Sequence, residues 1–112
     1  MRLCLSFLVL ALVAGTAASC GGAKPLSDAA KRGRTIYLSK SNPGCGTCHR
    51  LNDAGSIGVL GPDLDKLLPT KEKVLTSVLQ GVGAMPTQKG ILTPGEMEDV
   101  AAYVAEAAGR RP

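Results

Sequence analysis

The run Cys45-Gly46-Thr47-Cys48-His49 carries the clearest chemistry in this sequence. Two cysteines separated by two residues and followed at once by a histidine form the C-x-x-C-H pattern of covalent haem attachment. On one helical turn both thiols can reach the two vinyl groups along one edge of the porphyrin, and the small Gly46 and Thr47 leave that edge room. His49 can then bind the iron as proximal ligand. The sequence therefore predicts one covalently bound haem c.

Other uses of a cysteine pair fit this chain less well. A structural zinc site needs four nitrogen or sulfur ligands, but the chain has one histidine, and its other cysteines, Cys4 and Cys20, lie in the first twenty residues. A thioredoxin-type redox pair requires a βαβ context, and no run of strands is indicated. A plain disulfide would leave the histidine without a role. Haem attachment is favoured over all three.

A second chemical site is predicted at Met85, in the glycine-rich run from Gly81 to Pro86. Histidine and methionine together are the axial ligands of electron-transfer haems, in which the thioether raises the reduction potential. Pro86 biases Met85 toward an extended backbone. Met97 instead lies on an apolar helical stripe and is predicted to pack in the core. The alternative is that Met85 forms a hydrophobic lid, with the sixth iron position left to water or a small gas.

Pro62 is the predicted partner of the histidine. A proximal imidazole normally donates its second ring N–H to a carbonyl or carboxylate, which fixes its tautomer and orientation. The run Gly61-Pro62-Asp63-Leu64 closes a glycine-rich loop that begins at Asn52 and shows no helical period. The Pro62 carbonyl is therefore a candidate acceptor. A simple turn proline is the alternative.

Residues 1–19 are predicted to form a signal peptide of the lipoprotein type, with Arg2, an apolar run and then small residues. The following Ala17-Ala18-Ser19-Cys20-Gly21 resembles a bacterial lipobox, although a larger aliphatic residue usually stands where Ala17 does. Because a lone thiol is disfavoured in an exported protein, Cys20 is predicted to be lipidated. Ordinary cleavage near Ala18 and a retained anchor are the alternatives. The predicted location is extracytoplasmic: the periplasm or the outer face of the cytoplasmic membrane.

The remaining 93 residues of the 112 allow one domain. We predict a tether over 20–26, a domain over 27–109 and a basic tail over 110–112. Apolar periodicity and capping residues predict an all-α fold of three to four helices around one haem. These helices are expected to begin after Ser27, near Leu64, after Thr70 and after Thr93.

The formal net charge of +4 is too small to indicate a nucleic-acid partner. Its distribution is uneven, because six basic residues between Lys24 and Arg50 are opposed in that span only by Asp28. This span is either a solvated helix face or a basic patch that steers an acidic redox partner. Aromatic residues are scarce, with Tyr37 and Tyr103 beyond the leader, so a haem would supply much of the core.

From about Leu26 to Ala108 the chain resembles the small bacterial class I cytochromes c. The matching pieces occur in the family's order: Cys45-Gly46-Thr47-Cys48-His49, Gly61-Pro62-Asp63-Leu64 and Ala84-Met85-Pro86. The resemblance implies thioether bonds at Cys45 and Cys48, axial ligands His49 and Met85, and Pro62 holding His49. It also implies a close contact between the terminal helices at Gly33 and Tyr103. The family's frequent propionate partner, tryptophan, is missing here, and Arg50, Lys66 and Gln88 are candidates in its place.

These observations together predict a membrane-tethered, monohaem electron carrier. Its iron would cycle between Fe(II) and Fe(III) while electrons pass to and from redox protein partners, with no small-molecule substrate and no enzymatic activity. Two alternatives remain open. One is a haem enzyme or gas-binding domain with an open sixth position. The other is a subunit of a respiratory complex whose haem relays electrons internally.

Overall fold

The computed structural model describes residues 21–110, so the predicted leader and Cys20 lie outside the described part. Five α-helices follow in order: α1 Asp28–Ser39, α2 Cys45–Cys48, α3 Leu64–Leu67, α4 Lys71–Gln80 and α5 Pro94–Ala107. Between α2 and α3 lie two short strands, β1 Arg50–Leu51 and β2 Ser56–Ile57. The helical fold class is confirmed. No helix among residues 21–110 is long and apolar enough to cross a membrane.

The longer helices begin at the capping residues that the sequence predicts. The Ser27 hydroxyl accepts from the Ala30 N–H at 3.2 Å, and the Thr70 hydroxyl accepts from the Lys73 N–H at 3.2 Å. Thr93 and Glu96 form a reciprocal capping box at the start of α5. These contacts satisfy amide groups that the first helical turn leaves without partners, so the boundaries follow from local chemistry.

The loop after α2 is more regular than predicted. Strands β1 and β2 pair antiparallel, with Arg50 opposite Ile57 and Leu51 opposite Ser56. A 3₁₀ turn, Asn52–Ala54, joins them and ends at Gly55, whose φ of 65° is left-handed. Strands of two residues are too short to show an alternating apolar pattern, so the sequence carried no signal for this hairpin.

Helices α1 and α5 cross at Gly33, as the resemblance implied. A Cβ at Gly33 would lie 1.9 Å from the Asp99 carbonyl oxygen and 2.8 Å from the Tyr103 Cβ. The helix backbones therefore approach more closely than any side chain at position 33 allows. Beside the crossing, Arg32 donates two hydrogen bonds to the Asp99 carboxylate, at 2.7 and 2.8 Å. The close backbone approach and the ion pair together hold α1 against α5.

The burial of α4 and α5 follows the predicted stripes with one exception. Met97 is 3% exposed and packs in the core, as predicted. On α4 Val78 is buried, but Leu79 is 42% exposed. Val78 borders both the core and a cavity, whereas Leu79 lies beyond the edge of that face. The predicted apolar stripe of α4 is therefore one residue too wide.

Replacing Gly33 by alanine should lower the free energy of unfolding by about 2–3 kcal/mol, because the added methyl group would collide with the α5 backbone. Gly95→Ala is the matched control, since no atom lies within 4 Å of a Cβ built there. That change should be neutral or stabilise the protein by about 0.5–1 kcal/mol through helix propensity. Thermal and denaturant unfolding of both variants would measure this. Equal stability of the two variants would contradict the close crossing.

Candidate haem-binding site

A cavity of about 540 Å³ lies between the helices and the loop that contains Met85. Its walls are mostly apolar, and every long helix contributes to them. The lining includes Tyr37 from α1, Cys45 and Cys48 from α2, Val74 and Val78 from α4, and Val100 and Val104 from α5. A space of this size and character suits a large, flat, apolar ligand.

The turn α2 presents both cysteines to this cavity. The Ser41 hydroxyl accepts from the Cys45 N–H at 3.1 Å and lies 3.2 Å from the Cys45 Sγ. Burial raises the pKa of the Cys45 thiol, and the contact with Ser41 partly opposes this. A Cβ at Gly46 would lie 2.7 Å from the Ser56 Cβ. Gly46 is thus required where the hairpin packs against α2; that it also leaves room for a porphyrin edge stays a prediction.

His49 follows α2 and is oriented by the loop after the hairpin. Its Nδ1 lies 2.8 Å from the Pro62 carbonyl oxygen. Because a carbonyl can only accept, Nδ1 carries the proton, and the lone pair of the neutral ring is on Nε2. A Cβ at Gly61 would lie 2.6 Å from the His49 Cε1. The backbone at Gly61 therefore packs directly against the imidazole, which borders the cavity.

Met85 lies in a tight turn on the cavity wall. Its N–H donates to the Val82 carbonyl at 2.8 Å, and the Val82 N–H donates to the Met85 carbonyl at 3.0 Å. Gly81 and Gly83 have φ values of 75° and 54°, which favour glycine. The structure thus brings the side chains of Met85, His49 and both cysteines to one cavity.

The candidate propionate partners differ in their position relative to the cavity. Arg50 and Lys66 are not among the lining residues, and the Gln88 amide is bonded to the backbone of Asn42 at 3.0 and 3.1 Å. Among residues 21–110, Lys73 is the one lysine or arginine that lines the cavity. The sequence reasoning missed it. The sequence held no signal for it, because the cavity that Lys73 borders forms only when the helices pack.

The basic residues of α1 and the adjacent Lys40 do not form a free patch. Lys31 pairs with Asp28, Arg32 with Asp99, Arg34 with Asp53 and Lys40 with Glu96. Three of these four acidic partners lie after α1 in the chain, so the uneven charge along the sequence is balanced in space. The interpretation as a solvated, ion-paired helix face is therefore favoured over a basic patch on α1.

Two tyrosines, one on α1 and one on α5, link these helices to the β1–β2 hairpin. The rings of Tyr37 and Tyr103 meet edge to face, with centroids 5.6 Å apart. The Tyr37 hydroxyl lies 2.9 Å from the Ser56 Oγ, and the Tyr103 hydroxyl donates to the Asp53 carboxylate at 2.7 Å. Burial raises the pKa of Tyr37 to about 12, and burial with the bond to Asp53 raises the pKa of Tyr103.

An apolar cavity of this volume, with two thiols and an oriented imidazole on one wall, fits a covalently attached porphyrin. Helical domains built in this way are c-type cytochromes. A protein-family model described as cytochrome c oxidase, cbb3-type, subunit III matches residues 28–104, and the chain belongs to this family of cytochromes c.

The proteins similar to the chain include a cytochrome c-551 and a c-type cytochrome of known structure. A cytochrome c-551 from Halorhodospira halochloris is 32% identical over 73 residues, which covers 64% of this chain and 92% of the relative. The crystal structure of the c-type cytochrome SorU from Sinorhizobium meliloti superposes with a TM-score of 0.72 and 47% sequence identity, covering 74% of this chain and 94% of SorU.

Family membership confirms two predictions. The fold is that of the small monohaem cytochromes c. The cofactor is covalently bound haem c, and Cys45, Cys48 and His49 fit its attachment motif.

The raised pKa of Tyr37 predicts a loss of stability at high pH. The native state favours the protonated phenol, so its contribution is complete below about pH 10 and is lost as pH rises through about 12. The size of this loss is about 2–3 kcal/mol, because two pKa units separate the folded and unfolded states. Denaturant unfolding of wild type and Tyr37→Phe between pH 9 and about 12 would measure the difference. Parallel curves for the two proteins would contradict the assignment.

Proposed function

We propose that this protein is a monohaem electron carrier in which His49 and Met85 are the two axial ligands. The observation that supports this most is that the His49 imidazole and the Met85 side chain border the same cavity as both cysteines. When bound, the haem supplies a one-electron Fe(II)/Fe(III) couple.

Each residue of the site would have a defined part. Cys45 and Cys48 would hold the porphyrin through thioether bonds. The Pro62 carbonyl keeps the proton of His49 on Nδ1, which leaves Nε2 as the metal-binding atom and increases its basicity. The turn of residues 82–85 holds Met85 on the cavity wall. The mostly apolar lining would keep water away from the bound haem, so that little solvent reorganises when the charge of the site changes.

The position of Met85 favours a carrier over a haem enzyme or gas-binding domain. A thioether already on the cavity wall can occupy the sixth position, which those alternatives require to be open. A haem-relay subunit is the second candidate, because the matching family model is described as an oxidase subunit. A relay subunit should remain with its complex after extraction in mild detergent, whereas a free carrier should not.

The proposed location is the outer face of the cytoplasmic membrane or the periplasm, with a lipid on Cys20. The exposed residues 21–25 would then form the tether. Ser27 donates from its N–H and its hydroxyl to the Glu106 carboxylate, at 2.8 and 2.7 Å. The tether therefore joins the domain beside the end of α5.

Mass spectrometry of the mature N-terminus would find an acylated cysteine; an unmodified terminus near residue 19 would exclude the lipid.

Replacing Met85 by alanine should abolish the charge-transfer band of methionine-ligated ferric haem and permit carbon monoxide to bind the ferrous form. The reduction potential should fall by on the order of 100 mV, because the thioether stabilises Fe(II). Absorbance spectra and a redox titration would measure both effects. Met97→Leu is the control, since Met97 packs in the core and does not border the cavity. If the two variants have the same spectrum and potential, methionine ligation by Met85 is wrong.

Lys73 is proposed to pair with a haem propionate, because no other lysine or arginine in the described part of the chain borders the cavity. Lys73→Gln should lower the reduction potential by on the order of a few tens of millivolts, since removing a positive charge favours the ferric state. Lys31→Gln removes an exposed lysine that pairs with Asp28 and provides the control. Redox titration at low ionic strength would compare them. A shift in Lys31→Gln as large as that in Lys73→Gln would argue against the pairing.

A further inference from the structure

Gln88 is the one non-aromatic polar side chain that is buried in the part of the chain that the structure describes, with 4% exposure. It lies three residues after Met85 and borders the cavity. Burying an amide is unfavourable unless its donor and acceptor are both satisfied. The partners of this side chain therefore indicate why a glutamine stands here.

Both ends of the Gln88 amide bond to one residue, Asn42. The Gln88 Oε1 accepts from the Asn42 N–H at 3.0 Å, and the Gln88 Nε2 donates to the Asn42 carbonyl at 3.1 Å. Asn42 lies in the loop that leads into the haem-attachment turn α2. Between residues 81–92 and residues 40–48 these are the only side-chain hydrogen bonds among the described residues.

The backbone of Gln88 is anchored as well. Its N–H donates to the Val78 carbonyl of α4 at 2.8 Å, and its carbonyl accepts from the N–H groups of Ile91 and Leu92 at 3.0 and 2.9 Å. Gln88 therefore joins three parts of the cavity wall: helix α4, the loop of Met85 and the loop before α2. Its side chain makes the link between the last two.

We propose that Gln88 is a positioning residue that ties the Met85 loop to the attachment loop and so holds the Met85 sulfur on the iron. This inference rests on the proposed His49 and Met85 ligation. An external ligand can take the sixth position only if the Met85 side chain leaves it, and movement of the turn toward solvent pulls against the two bonds to Asn42. Without the two hydrogen bonds to Asn42, the turn of Met85 can move toward solvent at a lower cost in free energy.

The test is an imidazole titration of the ferric, fully matured protein. Binding is measured from the loss of the methionine–iron charge-transfer band. Gln88→Leu keeps a similar volume and removes both bonds. It should bind imidazole about tenfold or more tightly than wild type, because each lost hydrogen bond contributes a modest but measurable amount. Gln88→Met also keeps a similar volume and removes both bonds, so its imidazole affinity should equal that of Gln88→Leu. It also provides a second variant if Gln88→Leu does not mature.

Glu106→Leu is the matched control, because it also removes two hydrogen bonds, those to Ser27, at a carboxylate that does not border the cavity. Its imidazole affinity should equal that of wild type. Wild-type affinity in both Gln88 variants, or an equal increase in Glu106→Leu, would overturn the role of Gln88 while leaving methionine ligation intact. A wild-type protein without the methionine–iron band would overturn both the role of Gln88 and the proposed function.

Discussion

The apolar cavity of about 540 Å³ is the constraint on which this structure depends. The chain has few aromatic residues with which to fill a core, and its long helices all turn a side toward this space. The haem c of the family supplies the missing apolar volume. Different walls of the cavity contribute different groups of the site. Helix α2 and His49 present the attachment groups. The turn at Met85, which comes later in the chain, borders the same cavity.

The walls differ in how they are held. The α1–α5 side is fixed by a backbone approach at Gly33, where no side chain fits. The hairpin is held to that side by the hydroxyls of Tyr37 and Tyr103. The Met85 loop has no helix of its own, so it depends on hydrogen bonds, with Gln88 reaching across to Asn42. Close helix packing therefore holds one side of the cavity, and hydrogen bonds hold the Met85 loop on the other.

Sequence alone predicted the features that are local. The capping residues Ser27, Thr70 and Thr93 mark helix starts because their partners lie three residues away. The attachment turn is equally local. Lys73 and the Gln88–Asn42 pair were missed because their partners are a cavity and a residue 46 positions away. The sequence also left the basic patch open as an alternative. Asp99 and Glu96, which pair with Arg32 and Lys40, come close to these residues only after folding.

The proposed function depends most on the bond that we propose between the Met85 sulfur and the iron in the mature protein. Proton NMR of the ferrous protein, labelled with ¹³C at its methionine methyl groups, tests this most directly. A methyl group above a porphyrin is shifted far upfield by the ring current, whereas one packed among aliphatic side chains is not. We expect the Met85 methyl to be shifted in this way and the Met97 methyl to lie in the ordinary range. An ordinary position for both methyl groups would contradict it.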